Sequence, residues 1–336
     1  MSANMTFSAL LETFFSGWLV QQKRVSPHTI ASYRDTFCLL LRYAQKQLHK
    51  TPEKLSLPEL NASMIVAFLD YIQQERGTSN RSRNVRLAAI HSFYHYVALQ
   101  APGYSGLIEQ VLAIPSMRYE RHPIEFMTHD EIDELLSSID QKTWFGRRDR
   151  TLLLLALQTG LRVSELTSLY WKDIMFGTGA HVCCLGKGRK SRCTPLRKDT
   201  VTALHAWKHE QENMSVIPVF PNRRGQQLSR DGVAYILAKH VAIASEHCTS
   251  MQQKRISPHV LRHSAAMELL QSGVDCAVIA LWLGHESMDT TQIYLHASLK
   301  IKEQALDKTK STHGKPGRYR PDDALMAFLK GSNNAE

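Results

Sequence analysis

Between residues 7 and 100, apolar side chains return every three or four positions, the spacing that lines one face of a helix. The pattern predicts a helix from Phe7 to about Gln21 and a second beginning at Ser26-Pro27, where serine can cap free amides and proline suits the first turn. Ile30, Tyr33, Phe37, Leu40 and Leu41 supply the inward stripe of that second helix. A further helix over 62–74 precedes the polar run Arg76 to Arg83, after which Val85 to Leu99 is again periodic and rich in aromatic residues. Four or five such helices make a small bundle.

Ala101-Pro102-Gly103-Tyr104-Ser105-Gly106 interrupts the pattern, and the basic stretch from Met117 to Pro123 reads as a linker. The expected division is a helical domain over 1–117, a linker over 118–125, a second domain over 126–310 and a tail over 311–336. Within the second domain, Thr128-His129-Asp130-Glu131 is a capping-box start, and the buried helix from Asp149 to Gln158 stops at Gly160. His181 to Leu185 and Ser191 to Leu196 flank Gly186-Lys187-Gly188-Arg189-Lys190, which predicts a β-hairpin with a glycine-rich, cationic tip. Helices resume near Thr200, after Asp231 and at Ser257-Pro258. In the tail, Pro321-Asp322-Asp323 opens a short helix ended by Gly331, with Leu325, Phe328 and Leu329 on one face. So short a helix is marginal alone, so its apolar stripe implies docking on another surface. The fold class expected is mainly α with a small β-sheet.

Composition narrows the partners. With 336 residues and 43% hydrophobic content the chain can bury two cores. Lysine and arginine outnumber aspartate and glutamate 41 to 31, and a pI near 9.3 favours a polyanion, with nucleic acid first among candidates. Apolar runs such as Leu152 to Leu157 are far short of the roughly 18 residues a membrane span needs. Met1 to Leu10 lacks the basic-then-apolar pattern of a signal peptide. Cysteines at 38, 183, 184, 193, 248 and 276 form no CxxC pair, so reduced cytosolic thiols are expected. Adjacent Cys183 and Cys184 in a strand point to opposite faces and cannot readily serve one metal with Cys193. His91 and His95, four apart among Phe93, Tyr94 and Tyr96, read as packing residues.

Five short motifs carry candidate chemistry: Thr159-Gly160-Leu161-Arg162-Val163-Ser164-Glu165-Leu166, Gly186-Lys187-Gly188, His259-Val260-Leu261-Arg262-His263, Leu283-Gly284-His285 and Tyr294. Attack on a phosphodiester builds charge on the nonbridging oxygens, and fixed bidentate cations such as Arg162 and Arg262 lower that barrier. Glu165, three residues after Arg162, shares its helix face and can orient the guanidinium. A tyrosine nucleophile ionises near pH 10 and needs a base or a positive field; His259 is the candidate base, kept neutral by two neighbouring arginines that also favour the Tyr294 phenolate. His263 reads as packing or support. A leaving 5′ oxygen needs a proton, and Lys187, Arg189 and Lys190 all stand on the hairpin tip. His285 follows a glycine that permits a tight turn, and it can donate to a phosphate. Arg81, Arg83 and Arg86 could meet phosphates at a helix start, or form a solvated basic loop. Taken singly, the arginine and glutamate are an ordinary ion pair and Tyr294 is a core residue.

Taken in order, the five motifs resemble the tyrosine recombinase (phage integrase) family. The resemblance implies catalytic Arg162, Lys187, His259, Arg262, His285 and Tyr294, with Tyr294 the nucleophile, Lys187 the general acid, and Arg189 and Lys190 on backbone phosphates. It implies an N-terminal SAM-like core-binding domain and an α+β catalytic domain, closing as a C-shaped clamp on duplex DNA with paired recombination half-sites. Strand exchange would pass through 3′-phosphotyrosine links and a Holliday junction, in a tetramer on DNA built from monomers or weak oligomers, with no cofactor or essential metal. Family members commonly pass a C-terminal helix to a neighbouring protomer. The place expected is the cytoplasm, at the nucleoid of a prokaryote or in a mobile element. Two other readings remain: a catalytically silent DNA-binding regulator, and a metal-dependent nuclease using Asp130, Asp133 and Asp149.

Overall fold

The computed structural model describes residues 6–119, 124–186, 191–211, 218–285, 290–291 and 293–294. By packing, the chain divides into two units, Met1–Arg121 and His122–Glu336.

The first unit is all helix: α1 (Phe7–Thr13), a π-helix (Phe14–Gln22), α2 (Pro27–Leu48), α3 (Ala62–Gln74), α4 (Asn80–Gln100) and α5 (Ser105–Leu112). Its starts are chemically marked. Ser26 accepts a hydrogen bond from the Thr29 amide with Pro27 in the first turn, Asn61 accepts from Met64, and Ser79 accepts from Ser82. Fully buried Phe93 sits at the centre, with the rings of Phe7, Phe14, Phe37 and Tyr94 edge-on at 5.3 to 5.8 Å.

The predicted single helix over 7–21 widens after Thr13 into the π-helix. Phe14 and Leu19 are both buried, and their five-residue spacing matches the wider turn, whereas an α-helix would swing them apart. The helix predicted from Val85 starts five residues earlier, at Asn80, so the basic run is helical instead of a loop. This changes the arginine assignments. Arg81 is exposed, but Arg86 is paired with Asp35 at 2.9 Å, and Arg83 is only 4% exposed, its Nε and Nη1 without a hydrogen-bond partner among the described residues. Arg83 is therefore an enclosed cation, not the surface phosphate contact expected of it.

The second unit contains α6 (His129–Ser137), α7 (Trp144–Thr159), α8 (Val163–Thr167), β1 (Ile174–Met175), β2 (His181–Leu185), β3 (Ser191–Pro195), α9 (Lys198–His209), α10 (Arg230–Ala244), α11 (Thr249–Gln252), α12 (Pro258–Gln271) and α13 (Cys276–Leu283). The capping box forms as predicted, Thr128 and Glu131 exchanging bonds across the first turn of α6. Helix α7 begins five residues before the predicted start, capped by Thr143, and ends at Gly160 in the left-handed conformation. The three strands pair antiparallel in the order β1, β2, β3. A two-residue β1 is too short to leave a periodic trace.

Register places Cys183 opposite Cys193 and Cys184 opposite Arg192. Cys183 and Cys193 form a disulfide, which corrects the expectation that all six cysteines are reduced; direct cross-strand pairing brings the two sulfurs onto one face. Cys184 points to the buried face, and burial pushes its thiol up to about 11. The hairpin tip with Lys187, Arg189 and Lys190, and the tail over 311–336, lie outside the described residues.

Candidate active site

Two chain reversals face one another in the second unit. One joins α7 to α8 through Gly160, at φ 61°; the other follows α13 through Gly284, at φ 64°. A Cβ at Gly160 would meet Leu283 Cδ2 at 2.5 Å, so only glycine allows both the left-handed backbone and this approach. The His285 amide bonds back to the Ala280 carbonyl at 2.9 Å, a Schellman-type closure that aims the imidazole out of the helix end.

The arginines tie these reversals together. Arg262, on α12 and 6% exposed, donates to Gly160 O at 2.6 Å and to Leu283 O at 2.7 Å. Arg162, immediately before α8, donates to Gly284 O at 3.0 Å and to Glu165 Oε1 at 3.0 Å. Burial, reinforced by the Arg162 charge, brings Arg262 down to about 10, which still leaves it charged at neutral pH.

Glu165 touches Arg162, as its spacing predicted, and a second arginine besides. Its carboxylate accepts from the Arg162 amide at 2.8 Å as well as from the guanidinium. It is also held by Arg192 on β3, Nη1 to Oε1 at 2.9 Å and Nη2 to Oε2 at 2.7 Å. Burial opposes the charge on Glu165, but these bonds outweigh it and keep the carboxyl below its ordinary range. Arg192 escaped the sequence reading because 27 residues separate it from Glu165. The available signal was strand alternation, which puts an arginine on the inward face of β3 beside Thr194.

Tyr294 is 1% exposed. Burial raises its hydroxyl above the ordinary value; the charges of Arg262 and Arg162 favour the phenolate, as expected, but do not cancel the effect of burial. The hydroxyl is hydrogen-bonded to His263 Nδ1 at 3.0 Å. Of the two places expected of His263, packing or support, that contact gives it the second, beside the tyrosine. His259 stands exposed in the first turn of α12, with no hydrogen bond to Tyr294 among the described residues. His285 Nδ1 pairs with the buried Thr291 hydroxyl at 2.7 Å, and its ring lies parallel to that of Tyr294 at 6.3 Å. Burial and then neighbouring positive charge depress both histidines to about 4, so both are neutral at pH 7.

The carboxylates of the two-metal reading do not converge. Asp149 is buried against Arg148 at 2.6 Å and His240 at 3.0 Å, while exposed Asp133 sits near His129 at 3.9 Å. Among the described residues, the grouping able to hold a metal is His181, Cys183 and Cys193, and the disulfide engages both sulfurs.

The sequence pattern of the phage integrase family matches residues 125–300, and the family's N-terminal SAM-like domain matches residues 12–101. A Sinorhizobium fredii protein described as an integrase/recombinase, y4rC, is 53% identical over 329 residues, spanning 98% of this chain and 99% of its own length. The tyrosine recombinase XerD of Listeria monocytogenes is 34% identical over 304 residues, spanning 88% and 96% of the two chains. The chain belongs to the phage integrase family. As a member it is a tyrosine recombinase, an enzyme with the family's SAM-like and catalytic domains. The fold agrees: the XerH site-specific recombinase bound to its palindromic difH substrate superposes with a TM-score of 0.69 at 23% identity, over 85% of this phage integrase family chain and 81% of XerH.

Proposed function

We propose that this recombinase cuts and rejoins duplex DNA at paired recombination half-sites through a 3′-phosphotyrosine on Tyr294. The observation that carries the reading is the meeting of Arg162 and His285 on two reversals, braced by Arg262 from α12, beside a buried tyrosine. Arg162, Arg192 and Arg262 around the single carboxylate of Glu165 leave positive charge in excess, which a phosphodiester can offset. Tyr294 Oη attacks phosphorus, its proton passes to neutral His263, and the bond to the 5′ oxygen breaks. Arg162 and Arg262 hold the two nonbridging oxygens as their charge grows. With the Thr291 hydroxyl donating to His285 Nδ1, the Nε2–H donates to the same oxygens. His259, at the exposed start of α12, offers a further donor to the phosphate, and Lys187 gives the departing 5′ oxygen its proton.

Religation by the 5′ hydroxyl of a second strand then passes through a Holliday junction, in a tetramer whose protomers exchange the tail helix around Leu325 and Phe328. Arg81, Arg189 and Lys190 meet backbone phosphates, and the protein works in the cytoplasm at the nucleoid. The chemistry needs neither nucleotide nor metal.

A nicked suicide substrate tests this. Tyr294→Phe should bind DNA normally and form no covalent adduct, and an adduct that persists would remove the assignment. Lys187→Ala should be slow on ordinary DNA and recover on a 5′-phosphorothiolate, whose sulfur departs without a proton; lack of recovery would remove the general-acid role.

A further inference from the structure

We infer that Arg192 is a positioning residue for strand cleavage, holding Glu165 so that Arg162 stays aimed at the phosphate instead of being consumed by its own carboxylate partner. The inference rests on the phosphate-clamping role proposed for Arg162.

Glu165 is 5% exposed and its two oxygens accept four bonds, two from Arg162 and two from Arg192. The two arginine side chains differ in access: that of Arg192 is 11% exposed and that of Arg162 is 30% exposed. The enclosed guanidinium therefore neutralises the buried carboxylate, and the accessible one keeps its charge for a substrate. A buried carboxylate with a single cation would hold that cation tightly, since separating them leaves an uncompensated charge in a poorly solvated site.

A second contact points the same way. A Cβ added at Gly284 would meet Arg192 Nη1 at 2.8 Å, Cδ at 3.1 Å and Cζ at 3.2 Å. Arg192 thus lies flat on the turn whose carbonyl accepts from Arg162 and which presents His285. Through β3 it also ties this turn to β2. One side chain thus links β3, the Glu165 carboxylate that holds Arg162, and the turn that presents His285.

The groups facing Glu165 are Arg162 before α8, Arg192 on β3, Cys184 on β2 and Arg262 on α12. Without Arg192, burial of Glu165 is opposed mainly by Arg162, so the carboxyl titrates at higher pH and its ionised, orienting form is lost earlier on acidification. Single-turnover cleavage of a nicked half-site by the full chain should then fall about 10- to 100-fold in Arg192→Met, the loss expected of a displaced catalytic group. Half-site binding should be retained, and the acid side of the rate profile should move to higher pH, which a general packing defect would not produce. Arg192→Lys should lie between parent and Met. On a Glu165→Gln background Arg192→Met should cost less than on the parent, because the carboxylate it restrains is gone.

Parental cleavage and pH profile in Arg192→Met would overturn the inference, as would an equal cost on both backgrounds. If Arg192→Met does not fold, a parental rate and profile in Arg192→Lys overturns it. Arg162→Ala is run alongside: undiminished cleavage there removes the phosphate-clamp reading itself, whereas an inactive Arg162→Ala with a parental Arg192→Met removes only the role given to Arg192.

Discussion

At the centre of the N-terminal unit stands Phe93, with four aromatic rings against it. At the corresponding depth in the catalytic unit stand Glu165 and Arg262, 5% and 6% exposed and surrounded by carbonyls, guanidiniums and imidazoles. Burying a phenylalanine contributes about 1.5 to 3 kcal/mol, while burying an ion costs several kcal/mol before its partners offset it. The first unit thus spends its interior on stability. The second gives up some of that stability to keep paired and hydrogen-bonded charges in its interior.

The sharpest way to break this contrast is Phe93→Ala. It should cost the N-terminal unit about 3 to 5 kcal/mol, seen as lost hydrogen-exchange protection in α3 and α4, with protection in α12 unchanged. Equal loss in both units would mean they do not separate energetically. Arg262→Ala should do the reverse, cutting adduct formation about 10²- to 10³-fold on saturating DNA while leaving α4 protection alone. A rate within a few-fold of the parent would argue that Arg262 is a structural brace only.

The smallest expected effect is on pH. His263 and His285 have folded values near 4 against an ordinary 6.5, so over that window the unfolded chain binds more protons and stability falls as pH drops from 6.5 to about 4. In the N-terminal unit, His91 is depressed in the same direction by burial. With two such groups against one, calorimetry should show the steeper pH dependence in the transition of the catalytic unit, and equal slopes would contradict the comparison.

Much of the local structure was legible in the chain. Ser26-Pro27, the Thr128 to Glu131 box, Gly160 and Ser257-Pro258 mark helix ends through interactions spanning a few residues, so their positions follow from order alone. The pairing of Arg162 with Glu165 was readable for the same reason. Errors arose where packing overrode periodicity, as in the π-helix set by Phe14 and Leu19, or where exposure was inferred from charge, as for Arg83.

What the sequence determined by itself was the set of reactive residue types, their order, and the helices and hairpin that bear them, because each depends on neighbours within a turn or across a short loop. Tertiary structure alone decided which imidazole meets Tyr294, that Cys183 rather than Cys184 pairs with Cys193, and that Arg192 shares Glu165 with Arg162. Those choices rest on contacts between elements tens of residues apart, and on the balance of burial against charge. Neither distance nor solvation is encoded in the spacing of letters along a chain.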